Sequence, residues 1–201
     1  MYDQSDYEEI KSLLKSRLSK KRYTHSVNVA QQAKILAKIN NFDEEKSYFA
    51  GLIHDVCKEI PLTEQETYVL SSSMDIDEVE KKSQPLWHAI AGAEFVREHY
   101  RINDKDILNS IRYHTVARAG MSILEKIIYL ADLTSADRSY KDVAQTRKIC
   151  EKNLDEGMLY ALKFSITDSV SKSNTIPQST FEAYNSYILM TKLLEDIYDR
   201  K

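Results

Sequence analysis

Apolar residues recur along this chain every three or four positions and almost never alternate with polar ones. That period is the helical one. Ile10, Leu13, Leu14 and Leu18 mark a first amphipathic segment. A second runs from about Lys21 to Asn40, with His25, Val29, Ala33 and Leu36 on one stripe. Asp43 is placed to cap a third helix that ends near His54-Asp55. Thr63 and Glu66 have capping-box spacing and predict a short polar helix. Another is predicted after Pro85, because proline suits a first helical turn; it carries His88, Ala91, Gly92, Phe95 and Val96. Asn103 starts the next, with Ile107, Ile111 and His114 on one face. Ser122 and Glu125 form a second capping box before the apolar run from Ile127 to Asp132. Further helices are predicted over about 141–153, 156–172 and 180–198, the last opened by Thr180. Ser71 to Asp75 reads as a loop, and no internal repeat is present. The pattern predicts an all-α fold, one domain over residues 1–201.

Composition narrows the function classes. With only 4 Gly and 3 Pro, few tight turns are available and a many-stranded fold is disfavoured. A formal charge of −3 argues against a nucleic-acid binder built on a broad basic face. Cys57 and Cys150 form no CxxC pair, which suits a reduced, cytoplasmic compartment. The first residues are acidic and lack the basic-then-apolar order of a signal peptide. No apolar run approaches the roughly 18 residues of a membrane span.

Candidate chemistry lies on the inward stripes. Four of the five histidines sit beside apolar residues on helical segments: His25, His54, His88 and His114. Taken singly, His25, His88 and His114 each read as a hydrogen-bonded core residue more readily than as a metal ligand. His54-Asp55 alone fits equally a helix C-terminus with its histidine near the last carbonyls. Asp132 alone fits a solvated helix end. Burying an unpaired aspartate costs several kcal/mol, so inward acids among these histidines call for a cation. Each group comes from a different helix, as in metal sites built inside helical bundles. His99, flanked by Arg97, Glu98 and Arg101, is expected at the surface, and Cys57 is expected to pack in the core.

In that order (His, His-Asp, His, His, Asp) the chain resembles the HD-domain metal-dependent phosphohydrolases. Its words are similar to those of the bacterial YqeK branch, described as symmetrical diadenosine tetraphosphate hydrolases. The matching segments are Lys21-Arg22-Tyr23-Thr24-His25, Ala50-Gly51-Leu52-Ile53-His54-Asp55, His88-Ala89-Ile90-Ala91-Gly92-Ala93, Arg112-Tyr113-His114-Thr115 and Met121 to Asp132. The resemblance spans about residues 20–190. The resemblance implies an HD-domain helical bundle with its metal-site core over about 20–140 and C-terminal helices over about 141–198. It implies that His25, His54, Asp55 and Asp132 hold one metal, with Asp55 bridging to a second held by His88 and His114. Two divalent ions are implied, with iron first and manganese or another ion as alternatives.

The implied reaction is hydrolysis of diadenosine tetraphosphate to two ADP by a hydroxide bridging the metals. Asp55 and Lys58 are then the catalytic candidates. Lys58, Thr115, Arg118 and Arg138 are the candidate contacts to substrate phosphate. Tyr23, Trp87 and Tyr113 adjoin the candidate ligands and read as core packing before base stacking. Two loops depart from the family pattern. Where members usually read Thr-Thr-Gly-Arg after the fourth histidine, this chain has Thr115-Val116-Ala117-Arg118. Leu133-Thr134-Ser135-Ala136-Asp137-Arg138 replaces an acidic-proline turn before arginine. Substrate identity is therefore less fixed than reaction type. Other nucleotides or an alarmone remain alternatives, as do a dinuclear-iron oxygenase and a non-catalytic nucleotide-binding module. A homodimer is kept open; nucleic acid and membrane are not expected partners.

Overall fold

The computed structural model describes residues 4–198, with eleven helices and no strand among them. The expected domain limits, residues 1 and 201, lie outside the described residues. The helices are α1 (Gln4–Arg17), α2 (Lys20–Ile39), α3 (Glu44–Ile53), α4 (Leu62–Ser71), α5 (Glu78–Lys82) and α6 (Gln84–His99). They continue with α7 (Lys105–Arg112), α8 (Ile123–Thr134), α9 (Val143–Lys152), α10 (Leu154–Ser171) and α11 (Gln178–Tyr198). None is long and apolar enough to cross a membrane.

Several starts are set as the sequence implies. Asp43 accepts the Lys46 backbone N–H at 2.9 Å. Ser122 and Glu125 form a complete capping box at the head of α8. Pro85 lies in the first turn of α6. Other starts differ. α4 follows Pro61, which has no side-chain acceptor, and Thr63 falls inside its first turn. The fixed φ of proline sets that entry, so the Thr63–Glu66 spacing is not used as a cap. α7 is capped by Asp104, whose carboxylate accepts from Asp106 and Ile107, rather than by Asn103. α11 opens two residues before Thr180, whose hydroxyl donates instead to the Val116 carbonyl at 2.7 Å. α5 escapes the periodicity reading because five residues cannot show an apolar stripe. Its capping box, Asp77 with Glu80, is the one local signal.

The core is organised around α8, which packs against α2, α3, α7, α9 and α10. Leu124, Ile127, Ile128 and Leu130 are fully buried along it. Each such side chain contributes about 1.5–3 kcal/mol relative to exposure. That burial fixes the rotation of α8 and turns Asp132, at its end, toward α2. Helices α2 and α3 pack side by side and approach tightly at Gly51. A Cβ there would stand 2.9 Å from the Ala30 Cα, so only glycine permits this spacing. The approach leaves the His25 and His54 rings 5.6 Å apart, centroid to centroid.

Candidate metal and phosphate site

Six side chains from five segments meet in the interior. His25 comes from α2, His54 and Asp55 from the end of α3, His88 from α6, His114 from just beyond α7 and Asp132 from α8. The segment after His54 is a series of tight turns rather than a further helical turn, with Val56 N–H to the Ile53 carbonyl and Lys58 N–H to the Asp55 carbonyl. Ligand-type atoms of His25, His54 and Asp55 lie within 4.8 Å of one another. So do those of Asp55, His88 and His114, and those of His54, His114 and Asp132.

The ring orientations have one cause. His54 Nδ1 donates to the Gly51 carbonyl at 2.7 Å, and His114 Nδ1 to the Ile111 carbonyl at 2.7 Å. His88 Nδ1 bonds the Pro85 carbonyl at 2.9 Å. His25 Nδ1 meets Asp137 Oδ2 at 2.8 Å. With Nδ1 engaged by a backbone carbonyl in His54, His88 and His114, the Nε2 lone pairs of these three rings face inward, the arrangement that prepares imidazole for a metal. His25 Nε2 stands 2.8 Å from Asp132 Oδ1. Asp55 splits its oxygens: Oδ2 is 3.5 Å from His54 Nε2, while Oδ1 is 3.4 Å from His88 Nε2 and 3.5 Å from His114 Nε2.

Electrostatics agree with a cation site. Burial pushes His54 down to about 4. Burial also holds His88 well below its ordinary value. Burial opposes ionisation of Asp55, yet the neighbouring His54, His114 and His88 rings hold its carboxyl well below the usual range. For Asp132 the opposition of burial is overcome by the His25 hydrogen bond, with His54 and Arg138 adding to it. His54 Nε2 is a buried nitrogen with no hydrogen-bond partner among the described residues. An orphaned lone pair of this kind is costly in a core and is satisfied by a cation. The nitrogen–oxygen donor set suits iron, manganese or another divalent ion.

The expected phosphate contacts divide. Lys58 Nζ lies 3.2 Å from the His88 ring nitrogens, and burial lowers its pKa. Arg138 holds the Asp132 carbonyl and its Oδ1. Thr115 has a buried hydroxyl without a hydrogen-bond partner among the described residues. Arg118 is not brought into the cluster. Its guanidinium forks onto the fully buried Glu125, Nη2 to Oε1 at 2.8 Å and to Oε2 at 2.9 Å, because that carboxylate has greater need of the charge. Trp87 is buried and donates its indole N–H to the Glu80 and Lys81 carbonyls. Tyr113 lies under Arg112 and Arg118, and Tyr23 under Lys15. His99 is exposed and stacks on Phe95, and Cys57 is buried.

Two neighbours are not singled out by the sequence pattern. Arg22, one turn before His25, donates to Asp55 Oδ2 at 2.9 Å. Asp137 orients His25 and is itself held by Asn28 at 3.1 Å. Their only signal is position: a cation one turn before a candidate ligand, and an acid beside Arg138 in the departing loop.

Comparison with known proteins places this geometry. Residues 22–137 match the HD domain family. The chain is 33% identical over 178 residues to the symmetrical bis(5'-nucleosyl)-tetraphosphatase of Bacillus subtilis, covering 89% of this chain and 95% of that protein. The Staphylococcus aureus protein of the same name is 31% identical over 191 residues, with 94% and 98% covered. A crystal structure from Clostridium acetobutylicum, described as a predicted HD superfamily hydrolase involved in NAD metabolism, superposes with a TM-score of 0.88 at 33% identity, covering 94% of this chain and 99% of that one. The chain belongs to the HD-domain family of hydrolases, in the branch of the symmetrical bis(5'-nucleosyl)-tetraphosphatases.

Proposed function

We propose that this chain hydrolyses diadenosine tetraphosphate symmetrically to two ADP, with two divalent ions, iron foremost, held by the six-residue cluster. The observation that supports this reading most directly is the division of Asp55, with one oxygen toward His54 and the other toward His88 and His114. When bound, divalent ions lower the pKa of water and neutralise charge on phosphoryl oxygens. His25, His54, Asp55 and Asp132 are assigned to one ion, and Asp55, His88 and His114 to the other. Lys58 and Arg138 offer positive charge beside these groups for the polyphosphate, and Thr115 offers a hydroxyl. Symmetrical cleavage breaks the central anhydride bond, so that each half leaves as ADP and one water is consumed. The whole chain is read as one HD domain. Two free, buried cysteines fit a reduced cytoplasm.

The relatives' names carry the choice of nucleotide; the Clostridium protein is described as involved in NAD metabolism, so NAD serves as the comparison nucleotide. The test is anaerobic purification, metal quantitation and product analysis with both nucleotides, for the wild type and His54→Ala. Two ADP from diadenosine tetraphosphate is the expected product, with metal content and hydrolysis both lost in the variant. Turnover of NAD alone would overturn the substrate assignment, and full activity in His54→Ala would overturn the site.

A further inference from the structure

Glu80 is a buried carboxylate outside the six-residue cluster, on the short helix α5 and 2% exposed. Its Oε1 accepts from Arg112 Nη1 at 2.7 Å and its Oε2 from Nη2 at 2.8 Å. Arg112, 1% exposed, donates in addition to the Asp75 carbonyl at 2.7 Å. The Glu80 backbone carbonyl receives the Trp87 indole N–H at 3.1 Å. Trp87 directly precedes His88, and Arg112 stands two residues before His114. One residue thus ties down the chain just ahead of both histidines that face Asp55 Oδ1. His25, His54 and Asp132 are positioned differently, by the α2–α3 approach at Gly51 and by the burial of α8.

The chemistry of the pair favours geometry over stability. A buried ion pair adds little net stability over well-packed apolar residues of similar volume. A two-pronged guanidinium–carboxylate fork, in contrast, fixes direction as well as distance. We propose that the Glu80–Arg112 pair is a positioning device for His88 and His114, and that it builds the second metal position while leaving the first independent. The inference rests on the two-metal reading above; neither residue is among the six assigned ligands.

The test loads the full-length chain with manganese alone and reads metal stoichiometry and electron paramagnetic resonance. Arg112→Lys keeps both charges but removes the fork. The double variant Glu80→Met with Arg112→Met removes the pair without leaving a lone buried charge. The wild type is expected to bind two ions with the signal of a magnetically coupled pair. Each folded variant is expected to hold about one ion with the six-line signal of isolated manganese, since lost support of a ligand weakens metal binding. A folded variant that keeps the coupled pair overturns the proposal. So does loss of helical circular dichroism in both variants, which would make the pair purely structural. A wild type with a single uncoupled ion overturns the two-metal reading itself, a separate and recognisable result.

Discussion

Asp55 turns its Oδ2 to His54 and its Oδ1 to His88, at 3.5 and 3.4 Å from the two Nε2 atoms. An amide in its place would present a donor to one of these lone pairs instead of an acceptor for a shared cation. Asp55→Asn is therefore expected to lower metal content in both halves of the cluster. Hydrolysis should fall by at least about a hundredfold, since loss of a ligand costs no less than loss of a group supporting one. Metal analysis beside rate measurement checks this. A variant with normal metal and near-normal rate would remove Asp55 from the centre of the site.

Among the four clustered histidines, His25 alone has a carboxylate behind its ring; the other three use backbone carbonyls. A carboxylate at Nδ1 makes the opposite nitrogen a stronger donor. Asp137→Asn should keep the fold, because Asp137 is only partly buried, and weaken metal affinity about 10–100-fold. Titration of metal-free protein by calorimetry gives the number. Unchanged affinity would mean that Asp137 merely fills the loop.

Arg118 and Arg138 lie in the two altered loops, yet they have different partners. Arg118 serves Glu125, whose pKa burial raises while Arg118 lowers it. In Arg118→Met the carboxyl loses its cation, so its folded-state pKa rises further above the unfolded value. Such a group favours folding below the unfolded pKa and loses that contribution as pH rises through the folded one. The variant should then lose about 2 kcal/mol near neutrality, less than a fully buried pair because Arg118 is partly exposed, and should approach the wild type near the unfolded glutamate pKa. KM for the nucleotide should stay within about twofold, in contrast to Arg138→Met, which removes charge beside Asp132. Urea unfolding across pH together with kinetics separates the two roles. A large rise in KM for Arg118→Met would return Arg118 to the substrate.

Much of this was legible before the fold was seen. Helical period and caps such as Asp43 and Ser122 are local rules, and the inward positions of His25, His88, His114 and Asp132 follow from the same stripes that bury Val29, Phe95, Ile111 and Ile128. What the sequence hid is non-local. Glu80 and Arg112 are separated by 32 residues, and Arg22 and Asp55 by 33, and no period links such partners. For Arg118 the sequence shows a loop arginine beside the candidate ligands but not the buried Glu125 onto which it forks.

The loop after His114 carries a further consequence. Ala117 adopts φ of +59°, is fully buried, and gives its N–H to the Tyr113 carbonyl at 2.9 Å. This is the position where the family pattern has glycine. The left-handed region costs a residue with a Cβ about 1–2 kcal/mol. Replacement by glycine relieves that strain, against about 0.5–1 kcal/mol of backbone entropy and about 0.8 kcal/mol for one buried methyl. The two sides nearly cancel, so Ala117→Gly should change stability by less than about 1 kcal/mol. Ala33→Gly is the control: Ala33 is equally buried but lies in the helical interior of α2, where lost propensity and lost burial add to about 2 kcal/mol. Denaturant unfolding of both variants decides the matter. Equal losses would show that Ala117 bears no strain, and that the loop departs from the family pattern without energetic cost.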